Sequence, residues 1–210
     1  MKKSLKGFYR LFAAVCIFNL IVFSFGCSER SVSEPDNTEK QTPVVPLSVG
    51  NYWNYNTKDS IHSTGQVFNY NTFFCVYGDT VINNERWYLW GPYEKSDVWY
   101  INKQYGLISL SIFKSGDETS IRIDTTFKYP VILGDKYKNL EVLSVNEKVA
   151  VPVGTFSCIH FRYTIIGNPS DIIDEYFAPG IGRIKTVSNS ILNGSKWTYT
   201  LELIEYQIKN

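Results

Sequence analysis

From Pro46 to Asn210 apolar and polar residues alternate in short runs, and no stretch holds a helical period for three turns. Aromatic and β-branched residues dominate these runs, which is the composition of a pleated, half-buried surface. Turn signals separate them at intervals of eight to fifteen residues. Asn193-Gly194 fits a type I′ hairpin, joining a strand near Gly182–Ile191 to one near Lys196–Ile208. Pro179-Gly180 fits the centre of a type II turn between Asp174–Phe177 and Arg183–Val187. Gly78-Asp79 and Asn83-Asn84 separate Val67–Tyr77 from Arg86–Trp90, and Lys114–Glu118 turns another hairpin. Pro152 and Gly154 bracket a bend before a strand at Thr155–Ile166. In the last strand Trp197, Tyr199, Leu201 and Leu203 share a face, whereas Ile204, Tyr206 and Ile208 take the opposite parity. That switch predicts a bulge near Leu203. The pattern therefore implies a mainly β fold with little helix.

The front of the chain is different. Lys2, Lys3, Lys6 and Arg10 precede a sixteen-residue apolar stretch, Leu11 to Gly26, which ends at Cys27. The stretch is shorter than the roughly 20 residues that span a bilayer core, and it fits the apolar region of a signal peptide. Ser24-Phe25-Gly26 before Cys27 resembles a lipobox, with Gly26 matching and Ser24 in place of the usual Leu. Plain cleavage after Gly26 and an uncleaved anchor are the alternatives. The expectation is a signal peptide over residues 1–26 and lipidation at Cys27. Ser28 stands where Asp would favour inner-membrane retention, which points by resemblance to the outer membrane. Residues 27–45 lack aromatics and read as a disordered tether with a reach on the order of 20–25 Å. Residues 46–210 form one domain, long enough for a sizeable core. Loss of four basic residues with the leader leaves 17 basic against 20 acidic, a net charge of −3. The charges are scattered, so no nucleic-acid footprint is present.

Two eight-residue segments echo one another. Pro46-Leu-Ser-Val-Gly50-Asn51-Tyr-Trp53 and Pro130-Val-Ile-Leu-Gly134-Asp135-Lys-Tyr137 share the pattern P-x-x-x-G-[ND]-x-aromatic, 84 residues apart. Either related halves or a common turn solution accounts for it. Pro46–Trp53 (PLSVGNYW), Val151–Phe156 (VPVGTF) and Tyr176–Lys185 (YFAPGIGRIK) together carry a resemblance. The combination resembles a family of uncharacterised bacterial envelope lipoproteins and exported proteins that share P-x-x-x-G-x-x-W, V-P-x-G-T-F and Y-x-A-P-G-[IV]-G. The resemblance implies a mostly antiparallel, curved β-sheet and attaches no activity to the motifs; with the pattern above, the expected fold is a single curved antiparallel sheet (an open half-barrel) or a flattened β-sandwich. Read as residues, Gly154, Pro179, Gly180 and Gly182 are turn formers.

Candidate chemistry is sparse. Serine-hydrolase, zinc-protease, phosphate-loop and dinucleotide fingerprints are all absent from the sequence, so no catalytic residue, metal ligand or cofactor is assigned. His62 reads as a loop residue beside Asp59 and Ser60. His160 shares a strand face with Arg162 and Thr164, opposite Ile159, Phe161, Tyr163 and Ile165. Asp171, Asp174 and Glu175 read as a solvated acidic turn, with a calcium loop as the sharper alternative. Cys16 leaves with the signal and Cys27 takes the lipid. Cys75 and Cys158 remain, a candidate disulfide if their strands are neighbours and free, half-buried thiols otherwise. The tryptophans Trp87, Trp90 and Trp99 are read either as core or as the aromatic face of a ligand-binding concavity. These observations favour a non-catalytic, lipid-anchored envelope protein acting as a binding or assembly module, its partners the membrane and an envelope protein. The alternative is a periplasmic carrier or sensor of a hydrophobic ligand held in the concave face.

Overall fold

Strand-forming runs punctuated by two-residue turns give twelve strands and no helix among the described residues, in a computed structural model of the chain. The structure describes residues 42–92, 94, 97–115, 118–165, 167–192 and 194–209. The strands are β1 (Tyr52–Ile61), β2 (Gln66–Ile82), β3 (Glu85–Gly91), β4 (Val98–Lys103), β5 (Gly106–Ser115), β6 (Glu118–Lys128), β7 (Lys136–Tyr137), β8 (Leu140–Val151), β9 (Gly154–Ile165), β10 (Asn168–Ala178), β11 (Gly182–Leu192) and β12 (Ser195–Gln207). All lie in one antiparallel sheet of order β6-β5-β4-β3-β2-β1-β12-β11-β10-β9-β8-β7. The sheet coils until it is nearly closed into a barrel, so the curved-sheet expectation holds and the sandwich alternative does not. Cys27, the leader and the tether as far as residue 41 lie outside the described residues.

The order divides the sheet into two six-stranded meanders, β1–β6 and β7–β12, joined where β1 pairs β12. The echoed octapeptides open the two halves, and they do so with the same geometry. Gly50 and Gly134 both take left-handed φ, 87° and 84°, the third position of a type II turn that a side chain would strain. In one half the Gly50 N–H donates to Val76 O (2.9 Å) and Val76 N–H to Asn51 O (2.9 Å). In the other, Gly134 N–H donates to Val142 O (2.9 Å) and Val142 N–H to Asp135 O (2.9 Å). The halves then part company. β1 runs for ten residues and covers the edge of β12. β7 stops after two, because Lys138 turns left-handed (φ 55°) and Asn139 clamps β9 by exchanging bonds with Thr164.

Several turns fall where expected. Asn83 and Asn84 both have positive φ, and Ile181 N–H closes the Pro179-Gly180 turn onto Ala178 O at 3.0 Å. The parity switch in β12 is a register shift opposite Asn54/Tyr55 that leaves Ile204 unpaired. Two expectations are corrected. Gly78-Asp79 does not end a strand; β2 continues to Ile82, and Gly78 follows a bulge at Tyr77, one of the uses of glycine inside a strand. The domain also reaches into the segment assigned to the tether. Val44 and Val45 are buried, Pro43 O accepts from Gly180 N–H and Val45 O from Asn102 Nδ2. These contacts tie β4 of one half to the β10–β11 turn of the other.

The main core holds Trp53, Tyr55, Leu107, Phe127, Phe161, Phe177, Ile184, Leu201 and Leu203 on one face of the sheet. A second cluster, Trp87, Ile108 and Leu110 with Trp99, Ile101 and Ile112 packed against it, forms on the reverse face of β3–β5. Two of the resembling motifs meet in the main core. The Trp53 indole donates to Ile181 O (2.6 Å) and lies on Gly182, where a Cβ would sit 3.1 Å from Nε1.

The duplicated turn supplies its own control. Asn51 is fully buried, its Nδ2 donating to Pro46 O and its Oδ1 accepting from Lys209 N–H. Asp135, its half-buried counterpart, uses its carboxylate to accept from Ile132 N–H. Asn51→Ala should cost about 2–4 kcal/mol by orphaning two backbone groups, and Asp135→Ala less than about 1 kcal/mol, as read from urea unfolding of each variant.

Candidate functional site

Three arrangements stand out, one inside the sheet, one on its reverse face and one at its edge. Inside, Arg183 Nη2 lies 3.1 Å from Glu175 Oε1, both side chains largely buried. The guanidinium carbon sits 5.1, 5.9 and 5.6 Å from the ring centroids of Phe74, Trp90 and Phe177, a cation–π setting. Tyr55 donates to Arg183 O (3.0 Å), and the Tyr163 hydroxyl bonds Glu175. Burial pushes the phenols of Tyr55, Tyr100, Tyr163 and Tyr199 up, so they stay neutral beside the pair. Burial also opposes the Arg183 charge, but Glu175 and the surrounding tyrosines outweigh it and hold its pKa above the ordinary value. Ring pairs at 5.0–6.4 Å pack around it: Trp53–Trp90, Phe74–Trp90, Trp90–Tyr100 and Phe127–Phe177.

On the reverse face of β8–β10, His160 is held from both sides. Its Nδ1 lies 2.9 Å from Glu147 Oε2 and its Nε2 2.8 Å from Asp174 Oδ1. Arg162 grips Asp174 bidentately at 2.8 and 3.1 Å, and Tyr176 stacks on the imidazole with centroids 4.3 Å apart. Burial pushes the Asp174 carboxyl up, yet the hydrogen bonds and charges of Arg162 and His160 prevail and keep it below the usual carboxylate range. Both ring nitrogens of His160 are thus engaged by carboxylates of the chain itself.

At the edge, β6 ends the sheet with no strand on its outer side among the described residues. Ile121 and Ile123 are 59% and 61% exposed there, beside Ile112 and Leu110 of the reverse-face cluster. Lys138 reaches from beyond β7 to pair with Asp124, the residue after Ile123 in β6, and the amino groups of Lys128 and Lys138 sit 4.9 and 5.2 Å from the Tyr137 ring centroid. A cleft of about 470 Å³ opens beside this seam, lined by Gln104, Tyr105, Thr125, Lys128, Tyr129 and Pro130.

The residues singled out from sequence are distributed differently from the expectation. Trp87, Trp90 and Trp99 do not share a ligand face: Trp90 points into the main core, whereas Trp87 and Trp99 lie in the cluster on the other side. Residues 87 and 90 differ in parity, which in a strand means opposite faces. Cys75 and Cys158 are both free thiols. Their strands are not neighbours, since β1, β12, β11 and β10 stand between β2 and β9. Burial, reinforced by Glu147, pushes the Cys158 thiol up to about 12, and Cys75 is raised as well, mainly by burial. Asp171, Asp174 and Glu175 are not a turn but part of β10. Asp174 faces His160, Glu175 faces Arg183 on the opposite side, and Asp171 accepts from Ile191 N–H, so they do not converge on a cation. His62 follows β1 as expected, bonded to Thr198 at 2.9 Å. Two features escaped the sequence reading: the interior ion pair and the β6 edge. The alternation Ile121-Arg122-Ile123 in a run free of proline signalled the edge.

No protein-family profile matches the chain, and no curated protein does. Two solved structures resemble it. One, named as an exported protein with a YmcC-like fold from Bacteroides fragilis, is 13% identical over 78% of this chain and 98% of its own, with a TM-score of 0.43. The other, named as a lipoprotein from Parabacteroides distasonis, is 13% identical over 80% of this chain and 100% of its own, with a TM-score of 0.48. At these values neither likeness carries a function over to this chain.

The interior pair can be tested by a double-mutant cycle in urea. Arg183→Met and Glu175→Leu should each cost about 3–5 kcal/mol, because each strands a buried charge. The double variant should cost well under their sum. Additive costs would show that the two charges do not depend on one another.

Proposed function

We propose that this chain is a cell-envelope lipoprotein, anchored by a lipid on Cys27, whose β domain is a non-catalytic module that docks a partner along the open edge of β6. The observation that carries this reading is the edge itself: regular from Glu118 to Thr125, unpaired with any strand among the described residues, and bearing Ile121 and Ile123 outward beside a second apolar cluster. Exposed edges of that kind template strand addition unless they are blunted. The basic, apolar and cysteine order of residues 1–27 and the resemblance of the three motifs support an envelope location, with the outer membrane the side that Ser28 favours. A carrier of a hydrophobic ligand needs free space in the concave face, and the close ring packing around Arg183 favours the docking reading over it. The double engagement of His160 gives no support to an enzyme.

A photo-crosslinking residue placed at Ile121 in the native host should capture an envelope protein, a second copy included. The same residue at Val81, equally exposed at 62%, should capture none. Silence at Ile121, together with lipid retained on the purified protein in native mass spectrometry, would reject the docking module in favour of the carrier.

A further inference from the structure

Among the described residues the sheet has two edges that no full strand covers, and they are blunted to different degrees. β8 is free beyond its short pairing with β7, but it is broken by register shifts at Val142/Ser144 and Ser144/Glu147 and carries exposed Lys148. Bulges and edge lysines are the usual means of preventing strand addition. β6 has neither over the stretch that matters. From Glu118 to Thr125 it pairs β5 without a shift, with no proline and no lysine. The equivalent strand of the other half, β12, has this edge covered by the ten residues of β1. β7 ends too soon to do the same for β6. Among the described residues one strand's place is therefore open, next to side chains that would be buried if it were filled.

The charges on β6 say what fills it. We propose that the edge is the interface between two copies of this chain, their β6 strands paired antiparallel about a two-fold axis through Ile123; this rests on the docking role argued above. A two-fold axis normal to the sheet keeps each residue on its own face, so directly opposed residues share parity. Three central registers satisfy this near the isoleucines. An axis at Ile121 sets Glu118 against Asp124 of the second copy, and one at Arg122 sets the two arginines against each other; like charges directly opposed are destabilising. An axis at Ile123 sets Arg122 against Asp124 of the second copy, twice over, with Ile123 against Ile123 and Ile121 against Thr125. Arg122 and Asp124 already meet within one chain at 3.1 Å, so both lie on the same face and can form an alternating square of four charges, in which Arg122 of the second copy shares the Asp124 carboxylate with Lys138 of the same chain. Ile121 and Ile123 of both copies then extend the Trp87–Leu110 cluster across the junction.

The test is a cysteine scan of the full chain in its own membrane, one substitution at a time from Thr119→Cys to Thr125→Cys, under a mild oxidant. The wild type, with the same native thiols, is the control. At Ile123 the two Cα atoms would stand about 5 Å apart. At Arg122 or Asp124 each is displaced two residues from its own copy and stands about 8 Å away, beyond the roughly 7 Å a disulfide tolerates. The expected result is a covalent dimer from Ile123→Cys, its loss at positions 122 and 124, and a heterodimer when Arg122→Cys and Asp124→Cys chains are co-expressed. A maximum at 121 or 122 would overturn this register, and no dimer at any position would overturn self-pairing. If self-pairing fails while a photo-crosslinker at Ile121 captures a different protein, the docking role stands and the second copy falls. Silence from both removes the two together.

Discussion

Ten consecutive residue pairs between β1 and β12 hold two six-stranded meanders in one sheet. Everything else in the domain is arranged around that ladder. β1 is hydrogen-bonded on both sides, to β12 and β2, and carries Trp53 and Tyr55, two of the largest buried side chains. Trp53 reaches the β10–β11 turn and Tyr55 reaches Arg183 O. A single strand thus connects the ladder, the first half and the interior ion pair. The bulge at Ile204 lets β12 follow the coil while keeping Leu201, Leu203 and Tyr206 directed at the core.

The same logic explains what is missing. The octapeptide that starts β1 is repeated before β7 with the same turn and the same two backbone bonds. Repetition of the opening without repetition of the strand leaves the far side of the sheet unpaired, bridged instead by side chains such as Lys138 to Asp124. The open edge is thus a consequence of where one strand ends rather than of a loose or poorly packed region. Phe127, at the base of β6, is fully buried against Phe161 and Phe177. One end of β6 is core and the other end is surface.

Much of the fold was legible because period and turn chemistry are local. The Asn83-Asn84 and Pro179-Gly180 turns, the strand spans after Gly154 and the parity switch after Leu203 all follow from residues within a few positions of one another. The echoed octapeptides were visible too, although only the hydrogen bonds show that they begin equivalent halves. The ion pair was not legible, because it depends on a register shift beside Ile184 and on curvature that brings Phe74 and Trp90 of the other half over Arg183. The split of Asp174 from Glu175 follows from strand parity within Asp174–Phe177, which the reading of the acidic cluster as a turn overlooked. The burial of Val44 and Val45 gave no compositional warning, since two valines after a polar stretch look the same in a tether and in a core.

Hydrogen exchange of the two terminal strands of the halves, in protein dilute enough to sediment as a monomer, tests the central claim most directly. If β7 leaves the sheet open, the outward amides of Glu118–Ile123 in β6 should exchange at rates near those of unprotected backbone. Those of β12, covered by β1, should hold to the level of global unfolding. Equal protection of β6 and β12 in the monomer would contradict the account, because it would mean that the edge is already covered from within the chain.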